Sequence, residues 1–490
     1  MPTKHRSPLI PILAALLLPA ALLAQPTAPA ELTIEEAIRR ALTRGFELEI
    51  QRYGPQIAED AIVIARDPFR PTITASTSRS LSRSAPSTAT GPGERSEFSD
   101  TRVGISQRLY TGATVSASTS LDRSASNPAV SALNPAYTAD VSLSVRQPLL
   151  AGFGLAVNRA AINRAEIGLQ RAHLDYRARA LDIINSTENA FYNLAFAREQ
   201  LEVRRSSLGL AQRLHDEAGT RRSTGVATEL DVLQAEVGVA NARRNVLLAE
   251  QAVRDRSDQL LELIGQFELD APLGPTRLGE LDTAVPVFAS SLQAAKQNQP
   301  DFLSAQAALE QARLDLEVTR SNTKPDLTLG GALGLNGRNG RGGSALSDAL
   351  EREDAAWQFD LSLSYPWGQK GDKARYRQAQ AQITQQVLRL KQLEQAIEVD
   401  VRAAVRAVET NIESVGIATL ASRLSEKQYE LEKARFDAGL STSRRVLEAQ
   451  TDLESARVSE LQSRVSLRTA LAALHRIEGS SLARFGLQLP

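Results

Sequence analysis

The sequence predicts a mainly α-helical protein with membrane β-strands, in which one α-β-β-α-α unit is written twice. Two segments of roughly 64 residues have helical composition and no internal proline, far beyond the about 12 residues of an average helix. Segments that alternate strictly between apolar and polar residues precede both of them. The duplication is visible in GVATELDVLQAE, residues 225–236, which returns as GLSTSRRVLEAQ, residues 439–450.

The first 24 residues are predicted to be a secretory signal peptide. A short basic start, MPTKHR, is followed by the apolar run LIPILAALLLPAALLA, which ends in small residues. We expect cleavage after Ala24, with Ala30 as the second choice. Beyond this segment no window approaches 18 consecutive apolar residues, so the sequence predicts no helical membrane span.

The first repeat is predicted over residues 25–265. Thr33 and Glu36 stand at capping-box spacing and begin a helix, for which we predict a bend at Gly54 and Pro55. The periodicity then changes from helical to alternating, and back to helical. The predicted bounds are 33–67 for the first helix, 71–147 for membrane strands and loops, 155–218 for the long helix and 227–264 for the last helix.

The second repeat is predicted over residues 287–478, after a Pro/Gly-rich linker at 266–286 and before a tail at 479–490. Its order is the same as in the first repeat, and the shorter last helix again carries apolar residues in heptad register. The predicted bounds are 288–320 for the first helix, 325–366 for the strands, 373–436 for the long helix and 441–478 for the last helix.

The predicted strands have the length that crosses a bilayer in a barrel, about 9 to 11 residues. Aromatic residues stand near their ends, where interfacial girdles lie. Four to six strands per chain are too few to close a barrel, which needs at least eight, so several copies must share one. The helices alone fit a solvated coiled coil as well as a water-filled tube, and the strands favour the tube. The aromatic residues near strand ends are Tyr110, Tyr137, Trp357, Tyr365 and Trp367.

Composition gives no sign of an enzyme or of a nucleic-acid-binding protein. Lys plus Arg and Asp plus Glu balance at 57 each, and the chain contains no cysteine. His173, His215 and His475 are isolated on predicted helices, so no metal site and no cofactor are predicted. The glycine-rich stretch 330–344 lacks a strand-loop-helix context, and we predict that it is an exposed hairpin loop.

Four motifs in this order resemble the TolC-like family of outer-membrane efflux channels over nearly the whole mature chain. Two are strand-to-helix exits, SVRQPLLAGFG (144–154) and LSYPWGQKG (363–371), and two are helical hairpin tips, RSTGVATELDVLQAE (222–236) and RFDAGLSTSRRVLEAQ (435–450). The resemblance implies a homotrimer with a shared β-barrel in the outer membrane. A long α-helical barrel would continue from it into the periplasm, with an equatorial region around the linker.

The function that this resemblance implies is an exit duct of a tripartite efflux or type I secretion system. Such a duct conducts passively what an inner-membrane pump of the RND, ABC or MFS type delivers through a periplasmic adaptor (membrane fusion) protein. It lies in outer-membrane lipid with a large periplasmic portion. The alternative function is a structural or adhesive coiled-coil protein of the cell envelope. The sequence predicts neither the cargo nor the pump class.

The resemblance also assigns three groups of site residues. The adaptor-docking tips are Arg221, Gly225, Val226, Thr228, Arg435, Gly439, Leu440 and Thr442. The candidates for a periplasmic gate are Asp231, the acidic residue after the first tip, and Arg445 and Glu448 after the second tip, where the family commonly has acidic residues. The strand-to-helix transitions are Gln147, Pro148, Gly152, Pro366 and Gly368.

The number of strands in the first repeat is open between two and four. QRLYTG at 107–112 resembles QPLLAG at 147–152, which indicates a second strand exit and therefore four strands. A trimer would then close 18 strands instead of 12.

Overall fold

The computed structural model describes residues 31–85, 93–127, 132–265, 267, 273–279, 281–351 and 354–487. The predicted signal peptide, parts of the linker 266–286 and the end of the tail lie outside the described residues. The helices are α1 (Ile34–Arg44), α2 (Phe46–Arg66), α3 (Leu155–Asn158), α4 (Ala160–Ser223), α5 (Glu229–Leu263), α6 (Phe288–Asn298), α7 (Pro300–Asn322), α8 (Gly342–Leu350), α9 (Lys370–Asp437), α10 (Ser443–Glu478) and α11 (Ser481–Arg484). The strands are β1 (Thr72–Ser84), β2 (Glu94–Arg108), β3 (Thr114–Asn127), β4 (Ala136–Pro148), β5 (Asp326–Asn339) and β6 (Asp354–Ser364).

The predicted duplication is present in the fold. Two helices, a set of strands, one very long helix and one shorter helix follow each other in both halves. The long helices are α4, with 64 residues, and α9, with 68 residues. The mainly helical, internally repeated fold class is therefore confirmed.

The first predicted helix breaks at Gly45, and the segment where a bend was predicted, at Gly54 and Pro55, lies within α2. Gly45 has extended backbone angles and donates its N–H to Ala41 O at 3.0 Å, which ends α1. A Cβ at this position would lie 2.3 Å from that same oxygen, so the site accepts only glycine. Pro55 lies within α2, which continues through it.

The first long helix extends beyond its predicted end at residue 218. We expected GTRRSTG to end it, but Gly219 continues the helix and α4 ends only at Ser223. The physical reason is that a helix reverses where the backbone takes a positive φ, and the first such residue here is Gly225, with φ 78°. Its start also differs, because α3 and Arg159 precede α4 as a separate turn.

The six strands form one antiparallel sheet in chain order. The first repeat contributes four of them, the larger of the two numbers that the sequence left open. Following the register from strand to strand, Ile73 on β1 and Trp357 on β6 lie in the same row across the sheet. Ile73 is next to the start of β1, whereas Trp357 is seven residues from the end of β6. With ~3.3 Å per residue and ~4.8 Å between strands, this offset tilts the strands by about 40° from the barrel axis.

The two faces of the sheet differ in polarity, as the alternation predicted. One face carries a row of apolar side chains, one from each strand. The other face carries serine pairs such as Ser116–Ser144 at 2.7 Å and Ser118–Ser142 at 2.9 Å. The first is called the apolar face and the second the polar face. The row on the apolar face is Ile73, Ile105, Ala117, Leu143, Leu333 and Trp357.

A short helix, α8, lies across the apolar face where an exposed hairpin loop was predicted. Ala345 and Ala349 pack against Ala139 and are fully buried. Gly337 makes this contact possible, since a Cβ there would lie 2.1 Å from Ala345 O. The sequence prediction for 330–344 is therefore wrong: most of it is strand β5, and the rest begins a helix held by close backbone approach.

The helices form one layer in which α4 and α9 run the full length. Towards the sheet, α4 lies between α2 and α7, and α9 packs against α7; towards the tips, α4 lies between α5 and α10, and α9 packs against α10. The core of each half lies where the shorter helices meet the long one, around Leu194 and Leu260 in the first half and Val401 and Leu467 in the second. None of the described helices is long and apolar enough to cross a membrane.

A buried carboxyl group lies where the C-terminal helix α11 packs against α4. Glu188 is 1% exposed and pairs with Arg484 at 3.7 Å. Burial raises the pKa of Glu188 to about 6, and the positive charge of Arg484 opposes this only in part. Its ionised form therefore destabilises the folded state.

We expect Glu188→Gln to raise stability at neutral pH but not in acid. The pKa of Glu188 is 4.5 in the unfolded chain and about 6 in the folded one. The stability that protonated Glu188 contributes is therefore fully present below pH 4.5 and is lost as the pH rises through 6. The variant should gain about 2 kcal/mol at pH 7.5 and nothing at pH 4.5. Melting temperatures in detergent at both pH values test this, with the exposed Glu202→Gln as control. A Glu188→Gln protein less stable than wild type at pH 7.5 would contradict it.

Candidate functional site: the helical tips and the strand-to-helix junctions

The first tip reverses the chain between α4 and α5 with a glycine in the left-handed region. Gly225 has φ 78°, and its N–H donates to Arg222 O at 3.0 Å. Val226 N–H donates to Arg221 O at 2.9 Å, which completes the hydrogen-bond pattern of a Schellman helix end. Val226 itself is 73% exposed, so the tip presents an apolar side chain to its surroundings.

The second tip repeats the same geometry between α9 and α10. Gly439 has φ 75°, and its N–H donates to Phe436 O at 2.9 Å. Leu440 N–H donates to Arg435 O at 2.8 Å, and the Leu440 side chain is 71% exposed. The residues that the sequence assigned to adaptor docking thus form two matched turns at the same end of the helical layer.

The two returning helices begin differently. Thr228 caps α5 in a capping box, because its hydroxyl accepts from Asp231 N–H at 3.3 Å and its own N–H donates to Asp231 Oδ2 at 3.0 Å. Thr442 precedes α10 without a side-chain cap, and the neighbouring Ser441 donates to Glu432. The first tip is therefore fixed by its own cap.

Contacts between the two tips hold the repeats together. Arg221 donates to Phe436 O at 2.8 Å, lies 4.1 Å from the centre of the Phe436 ring and approaches Asp437 Oδ1 at 3.4 Å. Ser443 donates to Asp231 Oδ1 at 3.0 Å from the other side. Arg221, named from sequence as a docking residue, therefore binds the C-terminal end of α9. Its positive charge interacts favourably with the negative end of the helix dipole there.

We expect Arg221→Ala to loosen the second tip. The change removes a charge-assisted hydrogen bond and a cation–π contact, together worth about 2 kcal/mol. Hydrogen–deuterium exchange of the backbone amides at 436–445 should accelerate at least about tenfold. Arg222→Ala is the control, because Arg222 forms only an exposed ion pair with Glu229 at 3.5 Å. Equal exchange in the two variants would contradict a tethering role for Arg221.

The three gate candidates lie in different environments. Both carboxylate oxygens of Asp231 accept hydrogen bonds, from Thr228 and from Ser443, and these bonds lower the pKa of Asp231. Arg445 is exposed. Glu448 is exposed and accepts a hydrogen bond from Arg444 Nε at 2.9 Å, one helical turn before it. A gate role for these residues stays a prediction.

A polar groove of about 690 Å³ runs between α4, α5 and α10 just behind the tips. At the edge of the groove, Glu454, which is 9% exposed, accepts a hydrogen bond from Ser207 Oγ and forms an ion pair with Arg204. Gln450 Nε2 donates to Ser207 O at 2.7 Å. These contacts add polar links between the two repeats beside the apolar cluster of Leu214, Phe436 and Val446.

The first strand-to-helix junction depends on an asparagine that the sequence analysis missed. Asn158 is 7% exposed, and its Nδ2 donates to Gly152 O at 2.7 Å and Gly154 O at 2.9 Å. Arg108, at the end of β2, donates to Asn158 Oδ1 at 2.8 Å. Gly112 fits beside them only without a side chain, since a Cβ would lie 2.6 Å from Gly152 O. The β2–β3 turn is thus docked onto the exit of β4.

The predicted transition residues occupy the ends of strands and the turns after them. Pro148 ends β4, and Gln147 Nε2 donates to its carbonyl oxygen at 2.7 Å. In the second repeat Pro366 O accepts from Gln369 N–H at 3.2 Å, and Gly368 has φ 83°. The missed residue here is Gln369, which directly precedes α9 as its N-cap with φ 45° and is 5% exposed.

Known proteins with the same fold include several outer-membrane channels. The solved outer-membrane channel OprN covers 91% of this chain with 90% of its own length, at a TM-score of 0.69 and 19% identity, which shows the same fold. The pyoverdine export outer membrane protein OpmQ of Pseudomonas aeruginosa is 25% identical in an alignment of 347 residues that covers 66% of this chain and 69% of that protein. The outer membrane protein TolC of Vibrio cholerae is 22% identical over 64% of this chain and 73% of its own length.

The profile of the outer membrane efflux protein family matches residues 114–266 and 291–480. The two matched blocks correspond to the two repeats. The first block begins at the start of β3, so the β1–β2 hairpin lies before it. Together the blocks cover more than half of the chain, and the chain therefore belongs to the outer membrane efflux protein family.

Proposed function

We propose that three copies of this chain form the outer-membrane exit duct of a tripartite efflux or type I secretion system. The sheet lies in the outer membrane, and the helical layer extends into the periplasm. The duct conducts passively, and a pump in the inner membrane supplies the energy. Pyoverdine export, which the name of the relative OpmQ states, supports export as the class of activity without naming this chain's cargo.

The observation that carries the proposal is that both sides of the protomer are open along their whole length. β1 and β6 each have one unpaired edge, and every described residue of β1 is exposed. An open edge in lipid leaves backbone groups without partners, so β6 of one copy pairs with β1 of the next. α2 leads directly into β1 and β6 leads into α9, which puts these helices on the same two sides.

The helices on these sides expose apolar residues at coiled-coil spacing. On α2 the exposed residues Ile50, Ile57 and Ile64 recur every seven positions. On α9 the exposed residues Ile417, Leu424 and Leu431 do the same. A second copy of the chain covers both stripes at once, because α9 of one copy then packs against α2 and α5 of the next.

The widths of the sheet and of the helical layer agree. Six strands tilted by about 40° occupy ~37 Å of a barrel wall, from ~4.8 Å between strands. Four helices side by side, spaced by ~9 Å, occupy ~36 Å. Three copies therefore close 18 strands above 12 helices without a step in diameter, which favours the larger of the two strand counts.

The tips are the surface proposed for a periplasmic adaptor. They end the helical layer at the pole opposite the sheet, and both expose an apolar side chain beside a glycine turn, Val226 at one and Leu440 at the other. The adaptor, the pump and the trimer are parts of the proposal that the family membership supports. The alternative, an adhesive coiled coil, leaves the six-stranded sheet without a role.

Fractionation and single-channel recording test the proposal. Heat-resistant trimers in the outer membrane and ion conduction by the purified protein are expected. Leu424→Asp with Leu431→Asp should abolish the trimers, because two charges enter the α9 stripe. Arg423→Asp, about 100° around the helix from Leu424, is the control. Recovery of the wild type as a detergent-free monomer would overturn the proposal.

A further inference from the structure

Four arginines lie with one glutamate near the outer ends of β1, β2 and β3, and three of them pair with that glutamate. Glu97 Oε1 lies 2.5 Å from Arg95, and Glu97 Oε2 lies 3.4 Å from both Arg79 and Arg123. Arg83 faces Arg95 across the β1–β2 pair. These five residues are called the arginine cluster, and their net charge is about +3, because one carboxylate neutralises only one of four guanidinium groups.

The arginine cluster lies on the apolar face of the sheet, which faces away from the proposed pore. Arg79 is three alternations from Ile73 on β1, and Arg123 is one alternation from Leu121 on β3. Arg79 is the register partner of Ser99, and Ser99 is the register partner of Arg123, so both arginines are on the same face. The charges therefore do not line the duct and cannot act on solutes inside it.

The arginine cluster spans the outer boundary of the apolar band of the proposed barrel, where long arginine side chains reach the headgroup region. Glu97 lies eleven positions from Arg108 at the periplasmic end of β2, which is about 28 Å along the membrane normal at ~3.3 Å per residue and ~40° tilt. Arg79, seven positions from the start of β1, lies at about 18 Å, and Arg123 at about 23 Å by the same measure. An apolar band of about 25 Å ends between these levels.

The guanidinium groups keep donors for a further anion. Arg79 and Arg95 have side chains 73% and 49% exposed, whereas Glu97, which they share, is 18% exposed. Arg83 has no ion-pair partner among the residues that the structure describes. A planar guanidinium group binds two oxygens of a phosphate through paired N–H donors, and several such groups stand together here. The neighbouring loop sequences PSTATGP (86–92) and PAVS (128–131) contain no charged residue that would neutralise them.

An apolar surface adjoins the arginine cluster on the same face. Tyr137 is paired in register with Arg123, and Gly342, at the start of α8, lies so close to Tyr137 that a Cβ at Gly342 would be 3.3 Å from its ring. On its side away from the sheet, α8 exposes Leu346 (42%) and Leu350 (60%). A ligand that touches both surfaces must carry anionic groups next to hydrocarbon.

We propose that the arginine cluster and α8 bind the phosphorylated glycolipid that forms the outer leaflet of the outer membrane. Its phosphates contact Arg79, Arg83, Arg95 and Arg123, and its acyl chains lie against Leu346 and Leu350. This inference rests on the proposed placement of the sheet in the outer membrane. The bound lipid covers the β1–β2 hairpin, which precedes the part of the chain that matches the family profile.

Lipid titration of the purified trimer tests the inference. Bis-phosphorylated lipid A is added in detergent, and the lipids bound per trimer are counted by native mass spectrometry. We expect the combined changes Arg79→Gln, Arg83→Gln, Arg95→Gln and Arg123→Gln to weaken binding at least tenfold. Arg102→Gln, on the polar face of β2, should leave it unchanged. Lipid A without phosphates should bind wild type as weakly as the quadruple variant, and inorganic phosphate alone should not compete at millimolar concentration.

A second variant separates lipid binding from support of the sheet. If the arginines only neutralise Glu97, then Glu97→Gln makes them dispensable, and the quadruple change added to it leaves lipid binding as it is. If they bind phosphate, Glu97→Gln binds lipid A at least as tightly as wild type, and the quadruple change still costs tenfold. Equal binding of both lipids by a heat-resistant wild-type trimer overturns this inference alone, whereas absence of the trimer from the outer membrane overturns the proposed function.

Discussion

Deleting the β1–β2 hairpin is expected to narrow the outer-membrane part of the duct to less than half its cross-section. Residues 72–113 are replaced by a Gly-Ser linker of about four residues, because β1 and β3 lie two strand spacings, ~10 Å, apart. The trimer then closes 12 strands instead of 18. Barrel diameter grows nearly linearly with strand number, so the diameter falls to about two thirds and the area to about 0.44 of the original.

Electron cryomicroscopy of the trimer in nanodiscs measures the bore and the strand count directly. The matched control deletes α8 and joins β5 to β6 by a linker, because this removes residues at the same end of the sheet without removing a strand. We expect the control to keep the full bore. An unchanged bore in the hairpin deletion would mean that β1 and β2 do not belong to the wall.

Replacing Gly439 with valine is expected to abolish or severely reduce export. Gly439 has φ 75°, in the left-handed region, where a residue with a side chain costs about 1–2 kcal/mol and a β-branched one costs more. No atom lies within 4 Å of a Cβ built there, so the cost comes from the backbone and not from a clash. The turn relaxes, the Leu440–Arg435 hydrogen bond is lost, and the proposed adaptor surface changes shape.

A graded series at the same position separates backbone strain from a change of surface. Export should fall in the order Gly, Asn, Ala, Val at residue 439, because asparagine tolerates the left-handed region better than alanine. Gly416→Ala is the control, since Gly416 lies within α9 with open space around it, and alanine there should stabilise the helix by up to about 1 kcal/mol. Export is measured in a host from which the chromosomal copy is deleted. Full export of every tested substrate by Gly439→Val would refute a role for the tip.

Much of the fold follows from the periodicity of the sequence. The change from helical to alternating spacing located the strands, and the repeat at 225–236 and 439–450 located both tips, where a glycine reverses the chain. These features are local, because a period or a turn is written in neighbouring residues. The resemblance of 107–112 to 147–152 pointed to a second strand exit, and β2 ends there at Arg108.

Only the tertiary structure decided which surfaces meet. The sequence could not place Asn158 between two glycine carbonyls and Arg108, or Arg221 on the end of α9, because these partners are far apart in the chain. It also marked 330–344 as a loop, since the glycine that admits α8, Gly337, matters only through the helix that covers it. By itself the sequence determined the order of elements and the apolar face of each; what covers each face depends on distances between remote residues, which no local pattern contains.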